Sequence, residues 1–290
     1  MTDLPDGAAI KVEDIAYSYG DVEAVKGISF DVEPGQIMGF LGPNGAGKST
    51  TIKMLTGQLK PKRGKIFILG MEGGQDRPEI QQRIGVCFEE KNLYLNMTAR
   101  ENLEFFAKLF GISDYDATEA LRRVDLAGRE DDRVSGFSKG MKQRLMVARA
   151  LVNQPDVIFL DEPTDGLDPT SSQAIRAVIR EEAERGAAIL LTTHDMHEAD
   201  ELSDKVAFIN EGEIVAMDTP ENLKLQFGTR AVRVRLRADG GVREEIIPLD
   251  DEGASQRVAE LVRDPDLMTV HTEEASLEAI FIQLTGRGLE

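Results

Sequence analysis

Hydrophobic positions near the start of the chain predict strands of two kinds. In residues 10–32 apolar side chains mostly alternate with polar ones, which indicates antiparallel strands with one buried face. Residues 36–41 are apolar almost throughout, as expected of a central strand buried on both sides. A glycine-rich loop and a predicted helix, Lys48–Leu55, follow directly, and residues 61–70 indicate a further strand. This order predicts an antiparallel β subdomain attached to an α/β core.

Helical spacing replaces the strand pattern over residues 78–154. Thr98 and Glu101 form a predicted capping box ahead of a cluster of apolar residues, which indicates an inserted helical subdomain. Buried-strand patterns return at residues 157–160 and 188–192, separated by a predicted helix. This strand–helix–strand order predicts a parallel sheet.

A new alternating pattern begins after residue 228. Arg233, Arg235 and Arg237 alternate with apolar residues, which predicts a half-buried strand. The arginine face either binds an anionic partner or is a solvated face balanced by neighbouring acids such as Glu244 and Glu245. The solvated face is the favoured interpretation, and the strand opens a small accessory domain.

Composition limits the possible partners and compartments. The 290 residues contain 34 Lys and Arg against 52 Asp and Glu, and the resulting charge of −18 disfavours nucleic acid and anionic membrane surfaces. The single cysteine, Cys87, excludes an intramolecular disulfide and fits a reducing cytoplasm. The sequence shows neither a signal-peptide pattern nor an apolar window of about 20 residues that could span a bilayer. Any membrane role is therefore expected to depend on a partner.

The strongest chemical signal is the loop GPNGAGKST, which matches G-x-x-x-x-G-K-[ST] between a strand and a helix. Its glycines let successive backbone N–H groups point at phosphate oxygens. Lys48 is predicted to contact the β- and γ-phosphates, and the Ser49 hydroxyl to coordinate Mg²⁺. The predicted nucleotide-binding residues of the loop are Gly42, Pro43, Asn44, Gly45, Ala46, Gly47, Lys48, Ser49 and Thr50.

A second motif, VIFLDEP, ends a buried strand with two acids. Ligands of open α/β sheets bind at the carboxyl ends of strands, so Asp161 is expected to hold Mg²⁺ through water. Glu162 is the predicted general base that accepts a proton from the attacking water. The two motifs together predict an ATP-hydrolysing protein with a P-loop.

Five further segments give the chain a resemblance to the ATP-binding cassette ATPases over residues 10 to about 220. The segments are SYG, the residues after RIGVCF, FSKGMKQR, GLD and TTHD. The resemblance implies that Tyr19 stacks on adenine, that Glu89 replaces the usual glutamine near Mg²⁺, and that His194 contacts the γ-phosphate. It also implies that Ser138 and Gly140, in the signature segment, and Asp168, in the loop that crosses the dimer interface, help to bind ATP across two chains. Lys48, Glu162 and His194 are thus the expected catalytic residues.

The fold class expected from motifs and resemblance is α/β. It comprises a P-loop NTPase core with an antiparallel β subdomain and an inserted helical subdomain, plus a small C-terminal α+β accessory domain. The cassette is predicted at residues 8–220, with the helical subdomain at about 78–154, and the accessory domain at 228–290. Lys139 and Met141 depart from the usual Leu-Ser-Gly-Gly-Gln signature. This form, and Glu89 for glutamine, are similar to single-domain cassettes of bacterial and archaeal exporters.

The resemblance implies an ATP-binding, ATP-hydrolysing exporter subunit at the cytoplasmic face of the membrane. Two cassettes, expected to be identical, would sandwich ATP head to tail and dock on a separately encoded permease. The alternative is a soluble cassette of DNA repair or translation, which is disfavoured because long coiled coils and a second cassette are missing from the sequence. A binding-only module conflicts with the intact Lys48, Asp161, Glu162 and His194. The transported substrate stays open.

Overall fold

A computed structural model describes residues 7–73, 77–88, 92–228, 231–238, 241–273 and 275–286. The chain forms two compact units that divide between Met217 and Asp218. The division lies just before the predicted end of the first domain at residue 220. Among the described residues, none of the helices is both long and apolar enough to cross a membrane.

The first unit contains ten strands and seven α-helices within its described residues. In chain order they are β1 (Ile10–Tyr19), β2 (Val22–Val32), β3 (Ile37–Leu41), α1 (Lys48–Leu55), β4 (Arg63–Ile68), β5 (Met71–Glu72), α2 (Pro78–Gln81), β6 (Ile84–Cys87), α3 (Ala99–Leu109), α4 (Ala117–Arg123), α5 (Lys139–Ala150), β7 (Val157–Asp161), α6 (Pro169–Glu184), β8 (Ala188–Thr193), α7 (Met196–Leu202), β9 (Lys205–Asn210) and β10 (Glu213–Asp218). A short 3₁₀ turn, Val134–Gly136, precedes α5. The last residue of β10, Asp218, already belongs to the second unit.

Two sheets form the first unit, as the alternating and continuous apolar patterns predict. The antiparallel sheet has the order β2-β1-β4-β5, and the larger sheet has the order β10-β9-β3-β8-β7-β6. Strands β9, β3, β8, β7 and β6 are paired in parallel. Every residue of β3, β7 and β8 is buried, because both faces of this sheet are covered. The carboxyl ends of β3, β7 and β8 therefore meet at one edge of the sheet.

The helical subdomain expected over residues 78–154 needs one correction. Residues 84–87 form β6, a strand that extends the parallel sheet beside β7. At Gly85 an added Cβ would lie 2.1 Å from the Ala150 carbonyl oxygen, so the glycine lets this strand pack directly under the end of α5. The described helices of this segment are α2, α3, α4 and α5. The capping box at the start of α3 is confirmed: Thr98 and Glu101 each bond to the other's backbone N–H.

The second unit is a small α+β layer with a core of its own. Its elements are α8 (Pro220–Phe227), β11 (Ala231–Ala238), β12 (Gly241–Pro248), α9 (Ala254–Val262), β13 (Leu267–Glu273) and α10 (Leu277–Thr285). The sheet order is β12-β11-β13, with both pairs antiparallel. Val232, Val234 and Leu236 on β11 are buried in the core that includes residues of α9.

Of the two acids expected to balance the arginine face of β11, Glu244 does so in the described contacts and Glu245 does not. The Glu244 carboxylate lies 2.7 Å from Arg233 Nη1 and 2.7 Å from Arg235 Nε. Glu245 bonds instead to Arg257 of α9 at 2.7 Å, so its assignment to the arginine face was wrong. Successive strand residues point to opposite faces, and Glu245 follows Glu244 directly.

Candidate active site

The glycine-rich loop joins the buried end of β3 to the first turn of α1, and glycine is required at two of its positions. An added Cβ at Gly42 would lie 2.1 Å from the Ile209 carbonyl oxygen. At Gly47 the backbone has a φ of +109°, and an added Cβ would lie 2.6 Å from the Ala24 carbonyl oxygen. The loop therefore curls tightly against neighbouring backbone, and the N-terminus of α1 faces the space that the loop encloses.

Lys48, the first residue of α1, points back into this loop. Its Nζ donates to the Gly42 carbonyl at 2.5 Å and to the Pro43 carbonyl at 3.3 Å, and the side chain is only 6% exposed. A cleft of about 350 Å³ opens beside it. The predicted site residues that line this cleft are Pro43, Asn44, Gly45, Gly47, Lys48, Ser49, Thr50, Glu162 and His194.

Glu162 lies between two nitrogen groups at the edge of the cleft. Its Oε1 is 3.7 Å from Lys48 Nζ, and its Oε2 is 2.9 Å from His194 Nδ1. Burial raises the pKa of the Glu162 carboxyl above its ordinary value, while His194 and Lys48 act in the opposite direction. The structure thus brings together the three residues predicted to be catalytic, although they come from α1 and from the ends of β7 and β8.

Thr192 on β8 organises the end of β7, although no sequence motif predicted this role. Its Oγ1 donates to Asp161 Oδ1 at 2.5 Å and accepts the Glu162 N–H at 3.1 Å. Asp161 is 4% exposed and does not line the cleft itself. Asp161 and Thr192 are paired in the parallel register of β7 and β8, so an alignment of the two predicted strands could have identified this contact.

The loop after Glu162 is tied to the histidine segment by a second residue that sequence reasoning missed. Glu198 on α7 is 3% exposed, and its carboxylate accepts from Thr164 Oγ1 at 2.6 Å and from Thr193 Oγ1 at 2.9 Å. Burial raises the pKa of the Glu198 carboxyl, and the two threonine hydrogen bonds oppose this effect. Glu198 therefore joins the segments before His194 and after Glu162.

The signature segment lies outside the cleft lining. Ser138 is exposed and caps α5 by accepting the Met141 N–H at 3.1 Å, as a serine at a helix start is expected to do. Lys139 Nζ lies 2.8 Å from Asp165 Oδ2, and an added Cβ at Gly140 would lie 3.1 Å from Leu167 Cδ2. The N-terminus of α5 is thus placed beside the loop that follows Glu162.

The other predicted binding residues are distributed more widely. Asp168 caps α6 by accepting the Ser171 N–H at 3.0 Å and its hydroxyl at 2.6 Å, and these bonds lower the pKa of its carboxyl. Tyr19 ends β1, and its ring meets Tyr17 edge-on at 4.9 Å. Neither residue lines the cleft. Glu89, predicted near Mg²⁺, lies outside the described residues.

The fold and this site define the class of protein as a P-loop nucleoside triphosphatase. Residues 25–165 match the family model described as ABC transporter. The chain is 42% identical to the fluoroquinolones export ATP-binding protein of Mycobacterium tuberculosis, over 97% of this chain and 94% of the relative. It is 34% identical to the linearmycin resistance ATP-binding protein LnrL of Bacillus subtilis, over 97% and 99%.

Solved structures agree with these relatives. An ATP-binding subunit of an ABC transporter matches with a TM-score of 0.70 and 32% identity, over 76% of this chain and 93% of that one. A dimeric ATP-binding cassette in a post-hydrolysis state, bound to ADP and Pi, matches with a TM-score of 0.67 and 25% identity, over 72% and 98%. The chain belongs to the ABC transporter family, as an ATP-binding subunit of the export type. It is an ATPase, which confirms the prediction from the two phosphate-site motifs.

Proposed function

We propose that two copies of this chain hydrolyse ATP in a head-to-tail dimer, with each active site shared between the copies. The main support is the distribution of the predicted residues. Lys48, Glu162 and His194 converge on one cleft, whereas Ser138 is exposed and does not line that cleft. An exposed helix N-terminus with a hydroxyl group is suited to bind an anion presented by another molecule.

The loop fits a nucleoside triphosphate because its glycines have no side chain that would block the approach of phosphate oxygens to the backbone N–H groups. Lys48 binds the β- and γ-phosphates and gives up its bonds to the loop carbonyls when phosphate oxygens replace them. The Ser49 hydroxyl would coordinate Mg²⁺ and the Asp161 carboxylate would hold it through water, since Mg²⁺ prefers hard oxygen ligands. The ion, when bound, neutralises charge that develops on the phosphates.

Glu162 acts as the general base in this proposal. Its carboxylate accepts a proton from the water that attacks the γ-phosphorus, and the bond from this phosphorus to the β–γ bridging oxygen breaks. Inorganic phosphate and ADP are the products, and Lys48 stabilises the negative charge that develops on the oxygen retained by ADP. His194, 2.9 Å from Glu162 Oε2, orients the carboxylate and contacts the γ-phosphate. Tyr19 stacks on the adenine base from the antiparallel sheet.

The dimer drives export through a separate permease at the cytoplasmic face of the membrane. Tyr94 and Leu95 are 45% and 47% exposed, and Tyr94 packs against Phe105 at 5.0 Å, which provides an apolar surface for a membrane partner. The fluoroquinolone and linearmycin relatives are named for different compounds. Specificity is therefore assigned to the permease, and no substrate is proposed.

The dimer is tested with Glu162→Gln, which keeps the phosphate-binding groups but loses the proton acceptor. This variant should retain ATP and double in mass by light scattering when ATP and Mg²⁺ are added. Adding Lys48→Ala to it is the matched control and should abolish the increase. Normal turnover by Glu162→Gln would contradict the base assignment, and a monomer at saturating ATP would contradict the shared site.

The transport role needs a separate experiment. The tagged chain, purified in mild detergent from its native membranes, should retain a polytopic membrane protein. Replacing Tyr94 with Glu should reduce that recovery while leaving ATP binding unchanged. Recovery of an active ATPase without any membrane-spanning protein would contradict a role in transport.

A further inference from the structure

The side chain of Gln143 connects the signature helix α5 to the residue proposed as the general base. Gln143 is 3% exposed, and its Nε2 donates to the Glu162 carbonyl oxygen at 3.2 Å. The same nitrogen lies 3.9 Å from Cys87 Sγ at the end of β6. A buried amide with these contacts cannot exchange them for water, so its position is coupled to that of Glu162.

Glu162 needs such support because its backbone conformation is unusual. Its φ is +52°, in the left-handed region that residues with a side chain rarely adopt. The N–H of Glu162 is held by Thr192 O and Oγ1, both at 3.1 Å, and its carbonyl oxygen is held by Gln143. Strained backbone persists where the surrounding contacts determine it, and here β8 and α5 hold opposite sides of one residue.

The helix that carries Gln143 begins at the capping residue Ser138. An α-helix rises about 1.5 Å per residue, so Gln143 lies within about two turns of that end. Lys139 makes a second contact between α5 and the segment after Glu162, through Asp165 at 2.8 Å. A displacement of the N-terminus of α5 therefore reaches Glu162 through a short, rigid path.

We propose that Gln143 is a positioning residue through which the signature helix sets the orientation of Glu162. The inference rests on the proposed role of Glu162 as the base. In a head-to-tail dimer, the ATP that binds at Ser138 belongs to the site of the partner. Gln143 then links occupancy of that site to the geometry of the base in its own chain.

The experiment compares Gln143→Met with Val147→Ala in the full chain. Methionine keeps a similar volume but cannot donate, so turnover should fall about tenfold, the effect of losing one hydrogen bond in the transition state. ATP affinity should change less than twofold, because the phosphate loop is untouched. Val147 is also buried on α5, and its side chain has no hydrogen-bonding group, so its variant measures the effect of general destabilisation.

A second variant separates positioning from packing. Gln143→Glu has nearly the same shape, and its carboxyl group donates only when it is protonated. Glu162 and Cys87 are the titratable residues that the described hydrogen bonds place against Gln143. The ratio of turnover in Gln143→Glu to that in Gln143→Met should therefore rise as the pH falls, with both variants measured in the same buffers.

Three results would overturn the inference. Turnover of Gln143→Met equal to that of Val147→Ala, a turnover ratio that does not change with pH, or a loss of ATP affinity as large as the loss of turnover would each assign Gln143 to general packing. Normal turnover by Glu162→Gln would instead contradict the proposed role of Glu162 as the general base, on which this inference rests. The two failures are therefore distinguished by different variants.

Discussion

The cleft beside Lys48 is a predicted phosphate-binding region because of its loop motif, and the signature segment is one because of its resemblance to the family, but the two regions differ in structure. In the cleft, Lys48 and Glu162 are 6% and 12% exposed, and each has its partners in place. In the signature segment, Ser138 is exposed and the Lys139 side chain is 61% exposed. One region is assembled within the chain, and the other presents its groups outward.

This difference has an energetic consequence. Charges held in a buried cleft interact strongly and are screened little by salt, so loss of one group there should remove most of the activity. Exposed charges interact weakly, because water and ions compete for them. The comparison predicts that substitutions in the cleft lower ATP turnover strongly. It also predicts that the effect of substitutions in the signature segment depends on the partner chain.

The largest effect is expected when an inactive variant of the cleft is mixed with an inactive variant of the signature segment and ATP hydrolysis is recovered. Lys48→Ala and Ser138→Glu should each lower turnover by about 10²–10³-fold, because each removes or opposes a group that stabilises the transition state. An equal mixture should recover about a quarter of the wild-type rate, since mixed dimers contain one intact composite site. The measurement is steady-state ATP hydrolysis after the purified variants are mixed.

Thermal unfolding of both variants is the control, because Ser138→Glu also alters the cap of α5 and should cost about 1 kcal/mol of stability. Full activity of Ser138→Glu alone would show that the signature segment takes no part in the site. Two inactive, folded variants that stay inactive when mixed would contradict a composite site that works on its own.

A smaller effect is expected in the pH dependence, and it concerns the cleft alone. Glu162 must be ionised to accept a proton, and burial raises the pKa of its carboxyl. As the pH falls through this raised pKa, kcat/KM should fall by about tenfold per pH unit, starting above the ordinary range of a glutamate. The profile of kcat/KM reports the free protein, in which the structure shows this environment.

The acid limb should be measured over a range in which circular dichroism shows an intact fold. A limb at or below the ordinary glutamate range would show that His194 and Lys48 outweigh burial. In that case water would reach Glu162 more easily than its contacts indicate. The difference in burial between the cleft and the signature segment would then be smaller than proposed.

Sequence patterns predicted the parts of the site that depend on local chemistry. The spacing of glycine, lysine and serine requires a particular backbone loop, and the two acids end a strand that is apolar throughout. The patterns therefore predicted both the residue types and their elements. The α/β core and the antiparallel sheet followed from continuous and alternating apolar runs in the same way.

Contacts between distant segments could not be predicted from these patterns. Thr192, Gln143 and Glu198 act through strand register and helix packing, which bring together residues far apart in the chain. Residues 84–87 were assigned to a helical region because the short run lies among helical patterns, and only pairing with β7 makes it a strand. A single sequence does not specify that pairing.

The smallest effect is expected for the exposed contact between the two regions, the ion pair of Lys139 and Asp165. A double-mutant cycle with Lys139→Met and Asp165→Asn isolates this pair from the other interactions of both residues. The side chains are 61% and 43% exposed, so the coupling energy in urea unfolding should be about 0.2–1 kcal/mol and should decrease in high salt. A coupling above ~2 kcal/mol, or one that salt leaves unchanged, would show that the pair is effectively buried. The signature segment would then be held within its own chain as firmly as the cleft. The contrast between a buried cleft and an exposed signature segment would no longer hold.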